Sequence, residues 1–228
     1  MDKKVMIVTG GSAGLGLELV KAGLDAGYYV CNLGRNPEKM AALDTEFAGK
    51  DYKGFVGDVA IEEFVNYAVT AAAEIGQIAY LFNNAQKSVF KAPTAFTATD
   101  IEESFDGMRG MLYCTKQVLL ATGETDTHIV NIMSTAALKG KKQESLYCAV
   151  KWGARGYTEA LKATYADTSV KVSAIFPGGM NTGFWNEARD YISEEKSDTF
   201  MDPADVAAQI MDHVLGDNWA EDLTIQRK

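Results

Sequence analysis

Tyr147 and Lys151, with Ser134 upstream, are the residues whose types and spacing best suit them to move a proton. The segment Ser145-Leu-Tyr147-Cys-Ala-Val-Lys151 lies in a run of helical character. On a helix, positions i and i+4 share a face one turn apart, so a phenol stands beside an ammonium. A free Tyr titrates near ~10, and a neighbouring positive charge favours the phenolate. The sequence therefore predicts a lowered Tyr147 pKa. A value near ~7 would suit a proton donor or acceptor and needs roughly 4 kcal/mol of preferential phenolate stabilisation. A solvated helix face gives the same spacing, so the pair alone does not decide.

The other end of the chain adds a second arrangement. Residues 4–9, Lys-Val-Met-Ile-Val-Thr, read as a short buried strand. It runs into Thr9-Gly10-Gly11-Ser12-Ala13-Gly14-Leu15-Gly16 and then a helix-like stretch. A strand, a glycine-rich turn and a helix start form a phosphate-binding arrangement. Glycines let the backbone approach a pyrophosphate, and the helix start offers N–H groups and a positive dipole end. The spacing G-x-x-x-G-x-G differs from G-x-G-x-x-G, and no Gly-Lys-Ser/Thr follows to make a P-loop.

With these residues the chain resembles the short-chain dehydrogenase/reductase family, and the resemblance covers nearly all of it. Thr9 to Gly16 matches T-G-x-x-x-G-x-G. Asp58-Val59 matches the acidic position that contacts adenine. Asn83-Asn84-Ala85 matches N-N-A-G, with Gln86 where Gly is usual. Ser134 lies 13 residues before Tyr147, the common spacing, and Tyr147 to Lys151 matches Y-x-x-x-K. Pro177-Gly178-Gly179-Met180-Asn181-Thr182 matches the P-G-x-x-x-T segment on the nicotinamide side.

The resemblance implies a Rossmann-like, doubly wound α/β fold with strand order 3-2-1-4-5-6-7. It implies Ser134, Tyr147 and Lys151 as catalytic residues: Tyr147 exchanges a proton with the substrate oxygen as hydride moves. Lys151 lowers the Tyr147 pKa and binds the nicotinamide ribose, and Ser134 hydrogen-bonds the oxygen where charge develops. Capping after a strand is the bland role for Ser134. The expected cofactor contacts are Gly10, Ser12, Gly14, Leu15, Gly16, Arg35, Asp58, Val59, Asn84, Ala85, Tyr147, Lys151, Pro177, Gly178 and Thr182. The substrate pocket is expected from Phe90, Met133, Leu138, Met180 and Gly183-Phe184-Trp185-Asn186, with Tyr191 nearby. Its aromatics suit an apolar or ring-bearing carbonyl or alcohol, or simply core packing. Homodimers or homotetramers are implied through the fourth and fifth helices, where Met111, Leu112, Val118 and Leu119 can pair or face the sheet. In the usual alignment Gly107 stands where an Asn kinks the fourth helix and holds a relay water. Gly107 cannot supply that amide, which leaves a non-enzymatic NADP(H)-binding redox sensor as the competing reading.

The second strand ends in Gly34-Arg35-Asn36. An NAD site would place Asp or Glu there to accept from the ribose 2′-hydroxyl, whereas Arg accommodates a 2′-phosphate. NADP is therefore expected over NAD.

These residues need a scaffold, and the apolar pattern supplies one. Strands are expected near 4–9, 28–33, 52–57, 78–82, 127–133, 169–176 and 222–226. Helices are expected near 14–26, 37–48, 61–75, 99–121, 145–165 and 203–215. Strand–helix alternation implies βαβ units and a parallel sheet. Pro37 and Pro203 suit first helical turns. Thr9, Gly34, Asp58, Asn83, Ser134 and Pro177 each follow a strand, so they converge at one sheet edge, where such sheets bind ligands.

The chain of 228 residues suits one domain, 1–228. Its 22 basic and 31 acidic residues give a net charge of −9, which argues against nucleic acid or an anionic membrane as partner. Cys31, Cys114 and Cys148 lack C-x-x-C and read as reduced thiols of a cytoplasmic protein. Only two His, His128 and His213, occur, far apart at surface or strand-end positions, so no metal site and no Ser-His-Asp triad is expected. Val5–Val8 is too short for a signal peptide, and no apolar run approaches the ~18 residues of a membrane span.

Overall fold

A computed structural model describes residues 3–185, 199–216 and 219–227. Short runs rich in Val, Ile and Phe form seven strands: β1 (Lys3–Thr9), β2 (Tyr29–Gly34), β3 (Tyr52–Val56), β4 (Gly76–Asn83), β5 (His128–Ile132), β6 (Lys171–Pro177) and β7 (Asp222–Ile225). They pair in parallel in one sheet, ordered β3-β2-β1-β4-β5-β6-β7. This is the order implied by the resemblance. The order reverses direction between β1 and β4, where parallel sheets leave a crevice at their carboxyl ends.

Six α-helices are described: α1 (Gly14–Asp25), α2 (Pro37–Glu46), α3 (Glu62–Ile75), α4 (Ala98–Thr122), α5 (Ser145–Tyr165) and α6 (Pro203–Leu215). Several start where the sequence offers a cap. Asn36 accepts from Lys39 N at 2.8 Å, Thr97 and Asp100 form a reciprocal capping box, and Asp202 accepts from Ala204 N at 2.8 Å. Pro37 and Pro203 occupy first turns as expected.

Successive β1 side chains point to opposite faces, and each face has its own core. Val5 and Ile7 pack with Val65, Val69, Cys114 and Val118 of α3 and α4. Met6 and Val8 pack with Leu19 of α1 and Val206 and Ile210 of α6. Met111, Val118 and Leu119 are buried, so these α4 residues face inward; Leu112 is exposed. Toward the carboxyl ends of β4 and β5 two buried amides interrupt the apolar core. Asn83 donates to Asn131 Oδ1 at 2.8 Å and to Thr115 Oγ1 at 3.0 Å, and Asn131 donates to Thr158 Oγ1 at 2.9 Å.

His128 opens β5 and is buried beside Ser173 Oγ (2.8 Å) and Trp219 Nε1 (3.2 Å). Burial, with Lys171 and His213 charges adding, pulls its pKa down to about 3. The folded value lies below the unfolded ~6.5, so the neutral ring's stability is whole above that pH and is lost as pH falls toward 3. The penalty approaches the order of 4 kcal/mol. Urea midpoints should therefore drop between pH 7 and pH 4 by more in the wild type than in His128→Gln. Equal drops would remove His128 as the cause.

Candidate active site

The glycine turn is held open by its neighbours. Thr9 Oγ1 donates to Phe82 O at 3.3 Å and accepts from Asn84 N and Ala85 N at 3.0 Å. Asn84 Nδ2 donates to Thr9 O at 3.0 Å, and Asn32 Nδ2 donates to Gly11 O at 3.2 Å. A Cβ on Gly16 would fall far inside contact with Gly10 O and 2.5 Å from Asn84 Nδ2. Gly10 and Gly14 hold φ values of 70° and 53°. At α1, unlike α2 and α4, the N-cap, Ala13, supplies no side-chain cap, so first-turn N–H groups face the crevice beside Gly14, Leu15 and Gly16. That is the donor set of an anion site, and it fits a dinucleotide pyrophosphate.

A cavity of about 840 Å³ runs from this turn across the carboxyl ends of the strands. Every expected site residue lines it: Gly10, Ser12, Gly14, Leu15, Gly16, Arg35, Asp58, Val59, Asn84, Ala85, Ser134, Tyr147, Lys151, Pro177, Gly178 and Thr182. Phe90, Met133, Met180, Gly183, Phe184 and Trp185 line it too. Leu138 is outside the lining and is exposed, because it ends the 3₁₀ turn after Ser134. Asn186 and Tyr191 lie outside the described residues. Lys39, Lys141, Lys142, Phe200 and Arg227 also reach the cavity. Lys39 had a signal in sequence, one turn into the helix that starts beside Arg35. Phe200 and Arg227 had none, because only the fold brings the chain end back.

At the β2 end, Arg35 pairs with Asp58 at 3.3 Å, and Asp58 Oδ1 accepts from Ala60 N at 2.9 Å. Asp58 thus orients the guanidinium, and Ser12, Asn36 and Lys39 stand in the same lining.

At the other end, Ser134 follows β5 and caps the next turn by accepting from Ala136 N at 3.1 Å. Its proton remains available to donate. Lys151 Nζ donates to Ile132 O at 2.9 Å and lies 5.8 Å from the Tyr147 ring centre. Phe90 and Phe184 pack on Tyr147 with ring centres 5.8 and 5.7 Å away, and Trp185 packs on both. This cover corrects the sequence expectation for the phenol. Burial pushes the Tyr147 pKa up; the Ser134 hydroxyl pulls the other way without prevailing. Burial lowers Lys151 to about 8. Desolvation penalises both charged forms and outweighs the attraction expected from helical spacing alone.

A short chain dehydrogenase family profile matches residues 4–192. The chain belongs to that family. It is 31% identical over 204 residues to a candidate ketoacyl reductase of Streptomyces coelicolor, covering 85% of this chain and 77% of the relative. It is 32% identical over 211 residues to a candidate ketoacyl reductase of the granaticin polyketide synthase of Streptomyces violaceoruber, covering 86% and 76%. An actinorhodin polyketide ketoreductase variant solved with NADPH superposes with a TM-score of 0.88 at 27% identity, covering 98% of this chain and 95% of that one. The solved ketoreductase therefore shares the fold of this short-chain dehydrogenase. No helix among the described residues is long and apolar enough to cross a membrane, and none of their His, Cys, Asp and Glu cluster as a metal site.

Proposed function

We propose that the protein is an NADP(H)-dependent reductase of small carbonyl compounds, with Ser134, Tyr147 and Lys151 as its catalytic residues. The observation that carries this reading is their convergence on the cavity that also holds the uncapped α1 start and Arg35. Bound NADPH supplies the hydride. The chain's own residues do the rest. Tyr147 is a neutral phenol at neutral pH, because burial raises its pKa, and that is the form able to donate to a carbonyl oxygen. Ser134 donates to the same oxygen as negative charge develops. Lys151, fixed by Ile132 O, holds positive charge near the phenol and presents further N–H groups toward the ribose hydroxyls. Phe90, Phe184 and Trp185 exclude water and offer ring faces to an apolar or ring-bearing substrate.

The relatives named as ketoacyl reductases support the carbonyl class. Gly34 in place of an acidic residue, with Arg35 behind it, supports NADP over NAD. A guanidinium–phosphate hydrogen bond is worth about 1.5–3 kcal/mol, or roughly 10- to 150-fold in affinity. Arg35→Ala should raise the KM for NADPH by about that factor and leave NADH within about twofold. Parallel changes for both would show that Arg35 does not read the 2′-phosphate. Exposed Phe105 and Leu112 on α4 and Trp152 on α5 support a homodimer or homotetramer, and the buried thiols of Cys31, Cys114 and Cys148 suit the cytoplasm. The domain is proposed to span 1–228.

The deciding assay follows the loss of NADPH absorbance against ketones and aldehydes. Turnover supports the reductase. Firm NADPH binding with no turnover across the panel would favour the redox-sensor reading.

A further inference from the structure

The loop after β4 meets α4 at one wall of the cavity; ion pairs of Lys87 with Glu103 and Lys91 with Asp100 tie the two near the start of α4, and the Gln86 side chain joins them deeper in. Gln86 is half-buried and crosses from the loop to the helix. Its Nε2 donates to Ser104 O at 3.1 Å and also to Lys87 O. Both N–H bonds of the amide are therefore spent on backbone carbonyls. Its oxygen lies over Gly107. A Cβ on residue 107 would stand 2.7 Å from Gln86 Oε1, 2.9 Å from Gln86 Cδ and 2.9 Å from Ala85 O. All three distances are shorter than real Cβ contacts. The side chain of Gln86 fits because residue 107 has none. Both residues line the cavity that Tyr147 lines, and Ala85 belongs to the loop that braces the glycine turn.

We propose that Gln86 is a specificity-determining residue of this site, with Gly107 as the space reserved for it. The Asn84-Ala85 loop is held separately through Thr9, so the amide acts on the substrate wall rather than on the cofactor. The volume of the amide limits how bulky a carbonyl compound the cavity accepts. The proposal rests on the reductase reading above for its substrate readout, and on the geometry for its cofactor readout.

The two residues should fail in different ways. Gly107→Ala meets a flexible amide on one side and the Ala85 carbonyl, which is backbone, on the other. The backbone cannot swing aside, so the strain passes into the cofactor loop. Gln86→Ala leaves Ala85 in place and opens the wall.

The test compares wild type, Gln86→Ala, Gly107→Ala and the double variant. NADPH affinity is read by fluorescence titration, and kcat and KM are read with a small acyclic ketone and a bicyclic ketone. Gly107→Ala should weaken NADPH by about tenfold. Gln86→Ala should leave NADPH affinity within about twofold and shift the kcat/KM ratio about tenfold toward the bicyclic ketone, mainly through KM. The double variant should recover about threefold or more of the Gly107→Ala loss, because one of two obstacles is gone. A Gln86→Ala protein that changes both ketones equally would show general loosening and overturn the specificity role. A Gly107→Ala protein with NADPH affinity within about twofold of wild type would overturn the matched pair. If the wild type turns over no ketone, the reductase reading fails, while the NADPH coupling between the two positions still decides the pairing.

Discussion

Tyr147→Phe should lower kcat for carbonyl reduction by about 10³-fold while leaving NADPH affinity within about threefold. The substitution deletes one hydroxyl from a ring that keeps its packing against Phe90 and Phe184, so the fold has little reason to change. What is lost is the proton. Ser134 can donate a hydrogen bond, but its hydroxyl is too weak an acid to replace a phenol. The pH profile adds a second arm. Burial raises Tyr147, so the reduction rate should not fall as pH passes through 7. A descending limb in kcat/KM belongs near 8, where Lys151 loses its proton and its positive charge beside the phenol. Initial rates from pH 6 to 10 test both statements. A variant retaining a tenth of wild-type turnover would move the proton donor elsewhere. A fall centred near 7 would restore the lowered phenol pKa expected from sequence.

Gly16→Val should abolish measurable NADPH binding and destabilise the fold. The new Cβ has no room against Gly10 O, and Asn84 Nδ2 stands 2.5 Å away. Both are fastened: Gly10 by its backbone bond to Leu33 O at 2.7 Å, and Asn84 by Thr9. Overpacking of this kind costs about 1–3 kcal/mol, and at about 2–4 °C per kcal/mol melting should fall by several degrees. Gly156→Ala is the control. No heavy atom lies within 4 Å of the Cβ position there, and the residue sits inside α5, so Ala should stabilise by up to about 1 kcal/mol. Calorimetry and NADPH titration on both variants check the pair. Unchanged cofactor affinity in Gly16→Val would mean that the turn does not hold the pyrophosphate.

The scaffold was legible in sequence because its signals are local. Most strands are short apolar runs, the helices carry longer runs between them, and Pro37 and Pro203 mark two helix starts. Boundaries moved where pairing decides them: β4 begins at Gly76 rather than 78 because it pairs there with Lys3. Part of the expected site was legible for a related reason: Thr9, Gly34, Asp58, Asn83, Ser134 and Pro177 each end or follow a strand, strand ends meet at one edge, and Tyr147 and Lys151 join them from α5. What escaped was set by packing. The Tyr147 pKa turns on aromatic rings brought from positions 90, 184 and 185. Leu138 looked like a pocket residue by position but faces outward. Gln86 and Gly107 read as two separate departures, and only side-chain contact shows that they are one.

The amide chain from Asn83 through Asn131 to Thr158 has a further consequence. Central parallel strands are apolar on both faces, so sliding β5 two residues along β4 would still bury greasy side chains against greasy neighbours. Such a slip would separate Asn83 from Asn131, its partner in the ladder, and leave the Asn131 carbonyl without its donor in a dry interior. The amide chain thus acts as a keyway: it admits one alignment of β4 on β5 and penalises its near neighbours. Because Asn84 and Ser134 sit just beyond these two strands, that alignment also determines how far apart the cofactor loop and the Ser134 hydroxyl come to rest.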